Sequence, residues 1–543
     1  MAWMNWTDRA LQGLVGVVVV ALVAGGLWLR LFCLETVPLL TSDEAYYGLQ
    51  TWRLLHGEPF ELRTTSGNLL SPLFVITQAP ILAWKGPTIW AVRLPAALAG
   101  LAAVALAYRL GRRMMGVEGG LLASVGLMSL PAAVQFSRYG CEFSQTPLVG
   151  LVAASLAWSA RAGCFWGWVG FGVLVHPTNI LLIPLFLPLL AVRAAMAGPR
   201  ALRGAAMRSV AGALCIVPAF SWWILGNPNV GSHAGDPRAL GAFIDSFGRF
   251  VTFTNLGETD EAALSRHAWW FRLSVGGLLV AGTVALARRR RWDLLAMVVG
   301  GLLGLIAFDL AAGAKVLSSA VMRYGAVLIA PTVLVAASLV VALFPAGSAP
   351  RVRRSRWASL AAVMALGGWA SLWSTAEHGI RPLLGEHPGR WTQFRSQDPY
   401  SEAAQVIRRD LRNRGEQGGP TIVAQDVFVN GLQYEYLMAN TDVRVDPMFT
   451  LFEVWVMRQR PDGGAPEVEA RLSRMLQVLE AGGYAVAESG SLRERGGGMI
   501  AEAIASRHEP ARVRRWEVEG QEVYRLEPPP HRIADGSSNE ARR

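Results

Sequence analysis

Three separate stretches of this sequence carry ionisable residues whose types and spacing suit proton transfer beside an anion. In "LLTSDEAYYGLQ", Asp43 and Glu44 are adjacent carboxylates directly after the first long apolar run. In "QFSRYGCEFSQTP", Arg138 and Glu142 stand four apart, so on a helix they would pair on one face. In "AKVLSSAVMRYGAVLIAP", Lys315 and Arg323 flank the start of an apolar segment. A carboxylate in such a set can take a proton from an acceptor hydroxyl as it attacks a sugar C1. The cations can stabilise charge growing on a departing phosphate. Acids beside cations at a membrane boundary therefore suit a phosphate-bearing lipid and a hydroxyl acceptor.

Each stretch also has a plainer explanation. "TSDE" fits a capping box, with Thr41 as N-cap and Glu44 three residues on. That account leaves Asp43 as an acid near a helix N-terminus, where the dipole favours its charged form. Arg138 and Glu142 also make sense as a surface salt bridge, which contributes little. Arg323 can snorkel from a span end. Against snorkelling, lysine occurs only at Lys85 and Lys315, both on the side opposite the arginine clusters. His176, in "VLVHPTN", is a further candidate, or a histidine that packs a turn before proline.

The elements that must position these residues are membrane spans. The chain is 52% hydrophobic and 17% charged, with a mean hydropathy of +0.31, too apolar for a soluble protein of this length. At roughly 20 apolar residues per span, candidates are Leu11 to Leu29, Ala91 to Leu110, Gly119 to Phe136, Thr146 to Ala160, Phe165 to Val175, Asn179 to Val192, Val210 to Leu225, Phe271 to Ala287, Leu294 to Ala312, Val321 to Phe344 and Trp357 to Trp373. These number about eleven. The first is retained, because its apolar part is longer than a signal-peptide core and ends at Arg30 rather than at a cleavage site. Leu73 to Trp84 is a short, proline-punctuated apolar piece of the length of an interfacial or re-entrant helix.

The arginines in "GRRMMG", Arg161, Arg193, Arg200, Arg203, Arg208, "RRRRW" and "RVRRSRW" fall on one side. By the positive-inside rule that side is cytoplasmic, with the N-terminus. The net charge of +11 is thus a topology signal, and nucleic acid is excluded as a partner. The opposite side receives the Asp43 loop, the Glu142 turn, the His176 turn, the loop after Gly226, the Lys315 turn and everything after Trp373.

The expected organisation is a multi-spanning domain over 1–375, an extracytoplasmic α/β domain over 376–527 and a polar disordered tail over 528–543. In the second, "SEAAQVIRRDLRNRG" and "APEVEARLSRMLQVLEAGG" have helical spacing, the latter closed by glycine, while "TIVAQ" and "EVYRLE" read as strands. The four cysteines, Cys33, Cys141, Cys164 and Cys215, indicate no disulfide framework. No zinc spacing, Walker loop, dinucleotide-binding glycine pattern or Gly-x-Ser-x-Gly elbow stands in a supporting context.

At this point the residues resemble a known family. "SDEAYYGLQTWRLLHGEPF" resembles the aspartate-glutamate loop of the GT-C fold lipid-linked glycosyltransferases, close to the protein O-mannosyltransferase and aminoarabinose-transferase group. "LGRRMMGVEGGLLASVGLMSLPAAVQFSRYGCEFSQTP" resembles the third span and second acidic turn of that family, and "MRYGAVLIAP" its arginine-tyrosine segment opening a late span. The resemblance implies that Asp43 is the catalytic base and that Glu44 supports the acceptor or the loop. It implies that Glu142 is the second acid, and that Arg138, Lys315 and Arg323, with Tyr324 beside it, serve the donor phosphate. It departs from the family at "LLSPLF", where a paired-proline segment is usual, and at Glu142, where aspartate is common. No cofactor is assigned, and a divalent metal stays open. The Trp-Trp-Asp of the oligosaccharyltransferase branch is absent: "SWW" and "AWW" lie in or beside spans with no aspartate following.

The implied activity is inverting transfer of one sugar from a polyprenyl-phosphate donor to an envelope lipid, glycan or protein, on the outer face of the inner membrane. A transporter or lipid flippase is the alternative and would place ionisable groups at mid-bilayer, where Asp309 is the one deep acid found. A membrane anchor for a C-terminal sensor domain is a third, for which so many spans would be excessive.

Overall fold

The computed structural model describes residues 2–226 (except 33, 36–39 and 64–68), 276–312, 322–368 (except 345–348), 399–414, 421–424, 430–447 (except 440 and 442), 465–488 and 503–527 (except 519 and 520). The chain divides into two compact units. One comprises Met1–Pro38, Gly57–Trp84 and Trp90–Ser396, and the other Leu39–His56, Lys85–Ile89 and Gln397–Arg543. The Asp43 segment therefore belongs with the C-terminal unit.

The first unit is helical. Its elements are α1 (Ala2–Leu31), then, beyond α2 (Ser42–Leu55) of the other unit, α3 (Pro72–Lys85), α4 (Ile89–Ser129), α5 (Pro131–Phe136), α6 (Thr146–Trp158), α7 (Ala162–Val175), α8 (Leu182–Met196) and α9 (Pro199–Gly226). There follow α10 (Gly276–Arg288), α11 (Trp292–Ala312), α12 (Ile329–Leu343) and α13 (Pro350–Val363). Among the described residues, five helices are long and apolar enough to cross a membrane: Arg9–Leu31, Ile89–Ser129, Pro177–Met196, Pro199–Pro218 and Gly325–Leu343. Ala162–Val175, Gly276–Arg288 and Trp292–Phe308 are shorter apolar helices. This is a multi-pass membrane protein. The last part of the expected span ending at Trp373, the loop after Gly226, Lys315 and the tail lie outside the described residues.

Two expected spans, Ala91 to Leu110 and Gly119 to Phe136, are the arms of α4. Gly116, at φ +82°, breaks the helix in a conformation open to glycine. The arms then fold back so closely that a Cβ on Gly111 would lie 2.6 Å from Gly119 O. The second arm stops earlier than expected, at Ser129, and α5 begins at Pro131. Proline has no amide hydrogen and disfavours helical geometry in the residue before it. Leu130 is accordingly extended, at φ −58° and ψ 121°.

Buried arginines join the helix ends. Arg30, 1% exposed, donates to Met128 O at 2.7 Å and Leu127 O at 2.8 Å, carbonyls that the end of α4 leaves without helical partners. Arg93 donates to Leu34 O at 2.9 Å. At the arginine-rich end, Asp293 opens α11, accepts from Leu294 N at 2.9 Å and faces Arg291 at 3.1 Å and Arg193 at 3.7 Å.

Among the described residues, the second unit holds a five-stranded sheet in the order β2-β1-β3-β5-β4, formed by β1 (Thr421–Ala424), β2 (Arg444–Pro447), β3 (Tyr484–Glu488), β4 (Val513–Val518) and β5 (Gln521–Leu526). β1 runs parallel to β2 and β3, while β5 is antiparallel to β3 and β4. The parallel pairs need crossovers, supplied by α15 (Asn430–Leu437) and α16 (Ala465–Glu480), with α14 (Pro399–Arg414) before the sheet. Met475, Leu476 and Leu479 of α16 pack on Ala485, Tyr524 and Leu526. After α16, Gly482 turns the chain at φ +85°, the closing glycine expected from sequence. α14 is fixed to the sheet by the buried Asp410, which accepts from Tyr484 Oη at 2.7 Å and Arg525 at 3.0 Å. Burial and the Asp410 bond raise the Tyr484 phenol well above its ordinary pKa.

Candidate active site

The Asp43 segment is a capped helix start. Thr41 is extended, and its Oγ1 accepts from Glu44 N at 3.3 Å. Glu44 reaches back, its Oε2 accepting from Thr41 N at 3.0 Å and from Thr41 Oγ1 at 3.2 Å. Both halves of the capping box are present, as the spacing predicts. Glu44 is fully buried and occupied in this way, whereas Asp43 in the same first turn is half-buried. The two adjacent acids thus differ in what surrounds them.

The remainder of α2 is gripped by its own unit. Arg53 pairs with Glu435 of α15, Trp52 Nε1 donates to Ala439 O at 3.1 Å, and a Cβ on Gly48 would lie 2.8 Å from Tyr436 Cζ. Tyr436 Oη donates to Thr88 O at 2.7 Å. Burial pushes the Glu435 carboxyl above its ordinary pKa, with Arg53 pulling it down. Sequence reasoning missed all of these residues, because each contact joins positions more than three hundred apart.

Glu142 and His176 come together in the other unit. α7 ends at His176, whose extended backbone starts a 3-10 turn, Pro177–Leu181. Its Nδ1 lies 2.7 Å from Thr178 Oγ1 and its Nε2 3.9 Å from Glu142 Oε1, with the side chain 3% exposed. Glu142 opens a second 3-10 turn, Glu142–Gln145. Among the described residues, the buried Ser144 Oγ and Asn179 Oδ1 on these two turns, and Thr146 Oγ1 at the start of α6, have no hydrogen-bond partner. A third 3-10 segment, Met322–Leu328, packs against both turns and carries Arg323 and Tyr324 in its backbone. The side chains of those two residues, and Lys315 altogether, lie outside the described residues.

Arg138 does not share a helix with Glu142, since α5 ends at Phe136 before the Glu142 turn begins. Its guanidinium donates to Leu29 O and, at 2.7 Å, to Phe32 O, at the C-terminal end of α1. Bonds to these carbonyls give Arg138 a helix-capping role. Among the described residues, no group of three or more His, Cys, Asp or Glu side chains is gathered to hold a metal.

No protein-family model matches this chain, and no curated protein matches it by sequence. Solved structures do. ArnT from Cupriavidus metallidurans in the apo state is similar over 93% of this chain and 97% of its own, with a TM-score of 0.56 at 15% identity. The same protein bound to undecaprenyl phosphate aligns over the same shares with a TM-score of 0.53 at 15% identity. The fold is GT-C. The Archaeoglobus fulgidus oligosaccharyltransferase, solved with zinc and sulfate, is also similar, with a TM-score of 0.50 at 14% identity over 94% of this chain and 73% of that one. Both of these structurally similar proteins are lipid-linked glycosyltransferases.

Proposed function

We propose that this chain is an inverting glycosyltransferase that moves one sugar from a polyprenyl-phosphate donor to an envelope lipid, glycan or protein on the outer face of the inner membrane. The observation that carries the proposal is the GT-C likeness along nearly the whole chain to a protein solved with undecaprenyl phosphate. The capped presentation of a half-buried Asp43 supports the assignment of the base.

In the proposed reaction Asp43 takes the proton of the acceptor hydroxyl while its oxygen bonds to C1 from the face opposite the phosphate. The C1–O bond to phosphate breaks, and polyprenyl phosphate leaves with the electron pair. Glu44 holds the helix start that presents Asp43 and does not itself move the proton. Lys315, Arg323 and Tyr324 serve the departing phosphate, whose growing charge they stabilise. Glu142, oriented by His176, is the second acid of the membrane unit, and Arg138 fixes α1 beside that turn. The multi-spanning part is assigned to 1–375, the extracytoplasmic domain to 376–527 and the tail to 528–543.

Mass spectrometry of envelope glycolipids and glycoproteins from a strain lacking the protein tests this. The expected result is loss of a single sugar from one product, with accumulation of a polyprenyl monophosphate carrying that sugar. An unchanged set of products with intact donor turnover would contradict it.

A further inference from the structure

We infer that helix α15 of the C-terminal domain is a positioning clamp for the proposed base, with Gly48, Arg53, Glu435 and Tyr436 setting where α2 presents Asp43. The inference rests on the proposed role of Asp43 and gives the C-terminal domain a task in the same reaction.

Three features carry it. First, the contacts are gathered on the C-terminal half of α2. Gly48 and Trp52 are one helical turn apart, hence on one stripe, and Arg53 stands about 100° further round, so the contacts hold the helix from two sides. Asp43 lies roughly 140° round the helix from Gly48, at 3.6 residues per turn. Every clamp contact thus lies more than one helical turn beyond Asp43, whose own turn is set by the Thr41–Glu44 box. Second, the fit at Gly48 is close: the Tyr436 ring occupies the place of a side chain, and any Cβ there would lie 2.8 Å from Cζ. Tyr436 Oη is in turn held on Thr88 O at 2.7 Å, so the ring cannot swing away without losing that bond. Third, α15 is itself fixed from behind. Tyr434 is fully buried and meets Tyr400 of α14 edge-on at 5.9 Å, and Arg408 of α14 donates to Leu437 O.

Helix α2 is short, and its N-terminal cap sets the backbone at Asp43 but not the direction of the helix axis. The clamp acts on its C-terminal half, Gly48 to Arg53, and so supplies that direction. Small displacements of a reacting group lower turnover steeply, and a shift of about 1 Å can cost on the order of a hundredfold. These residues touch no reacting atom in this account, so their effect should appear in kcat rather than in donor KM.

The test is a charge exchange in the full-length protein, feasible because Arg53 and Glu435 side chains are about one-third exposed, at 30% and 33%. Arg53→Glu and Glu435→Arg are each expected to lower kcat about tenfold, with donor KM within about twofold, using the polyprenyl-phosphate sugar fraction from the deletion strain as donor. The Arg53→Glu/Glu435→Arg double variant should recover most of the loss. In parallel, hydrogen exchange of the 42–55 peptide should quicken in each single variant and return in the double.

Single variants with normal kcat and normal exchange would overturn the clamp. So would a double variant no better than the singles in either readout. If Asp43→Asn keeps its turnover, the base assignment fails, yet the exchange measurements still decide whether α15 orders α2.

Discussion

The two acidic turns of this molecule are held in different ways. Asp43 sits on a helix capped by a threonine–glutamate box and packed on a helix of the C-terminal unit. Glu142 sits in a 3-10 turn inside the membrane unit, beside a histidine that caps a second such turn. One acid is held by the C-terminal unit through side chains distant in sequence. The other is presented by the bends between membrane helices. Acids of similar appearance in the sequence thus depend on separate parts of the fold, and damage to one support should spare the other.

The largest expected effect of breaking a support is at Arg138. Removing it leaves the Leu29 and Phe32 carbonyls without their charged donor, and Arg138→Ala should destabilise the membrane unit by about 3 kcal/mol. Thermal unfolding in detergent measures this, and exchange at 42–55 should stay as in the unsubstituted protein. Next is His176→Ala, which removes the cap of the Pro177–Leu181 turn and the neighbour of Glu142, for about 1–2 kcal/mol. Exchange should rise around 142–146 and 177–181 alone. Thr41→Ala removes one half of the capping box and should cost about 1 kcal/mol, seen as faster exchange at the start of α2 only.

The smallest effect is a pH dependence at the clamp. Burial holds the Glu435 carboxyl above its ordinary pKa, with Arg53 opposing. The folded protein therefore binds this proton more tightly than the unfolded chain does. Its contribution to stability is full below the unfolded pKa and is lost as pH rises through the folded one. Glu435→Gln has no such dependence, so its stability relative to the unsubstituted protein should rise as pH increases from about 4. Unfolding curves across that range check the sign.

What the sequence disclosed was local. The capping box needs residues only three apart, and both halves formed. The apolar runs predicted helices because each span satisfies its own backbone bonds. The glycine closing α16 adopts the positive φ that its position requires. Proline at 131 carried the signal for the break that the span ending at Phe136 overran.

Arg138 was less legible. Arginine four residues before glutamate suggests a helical pair, and nothing local says that the chain turns between them or that the guanidinium meets the end of α1. The clamp was not legible at all. Arg53 and Glu435 are 382 positions apart, and each is an ordinary charged residue on its own helix. Only folding of the second unit makes them neighbours.

The most direct test of the central claim is single-turnover sugar transfer by Asp43→Asn, with the donor fraction accumulated in the deletion strain. The substitution keeps the shape of the side chain and removes the base. Donor binding should stay close to normal, the transfer rate should fall by about a thousandfold, and hydrogen exchange in α2 should be unchanged. Transfer at a near-normal rate would contradict it.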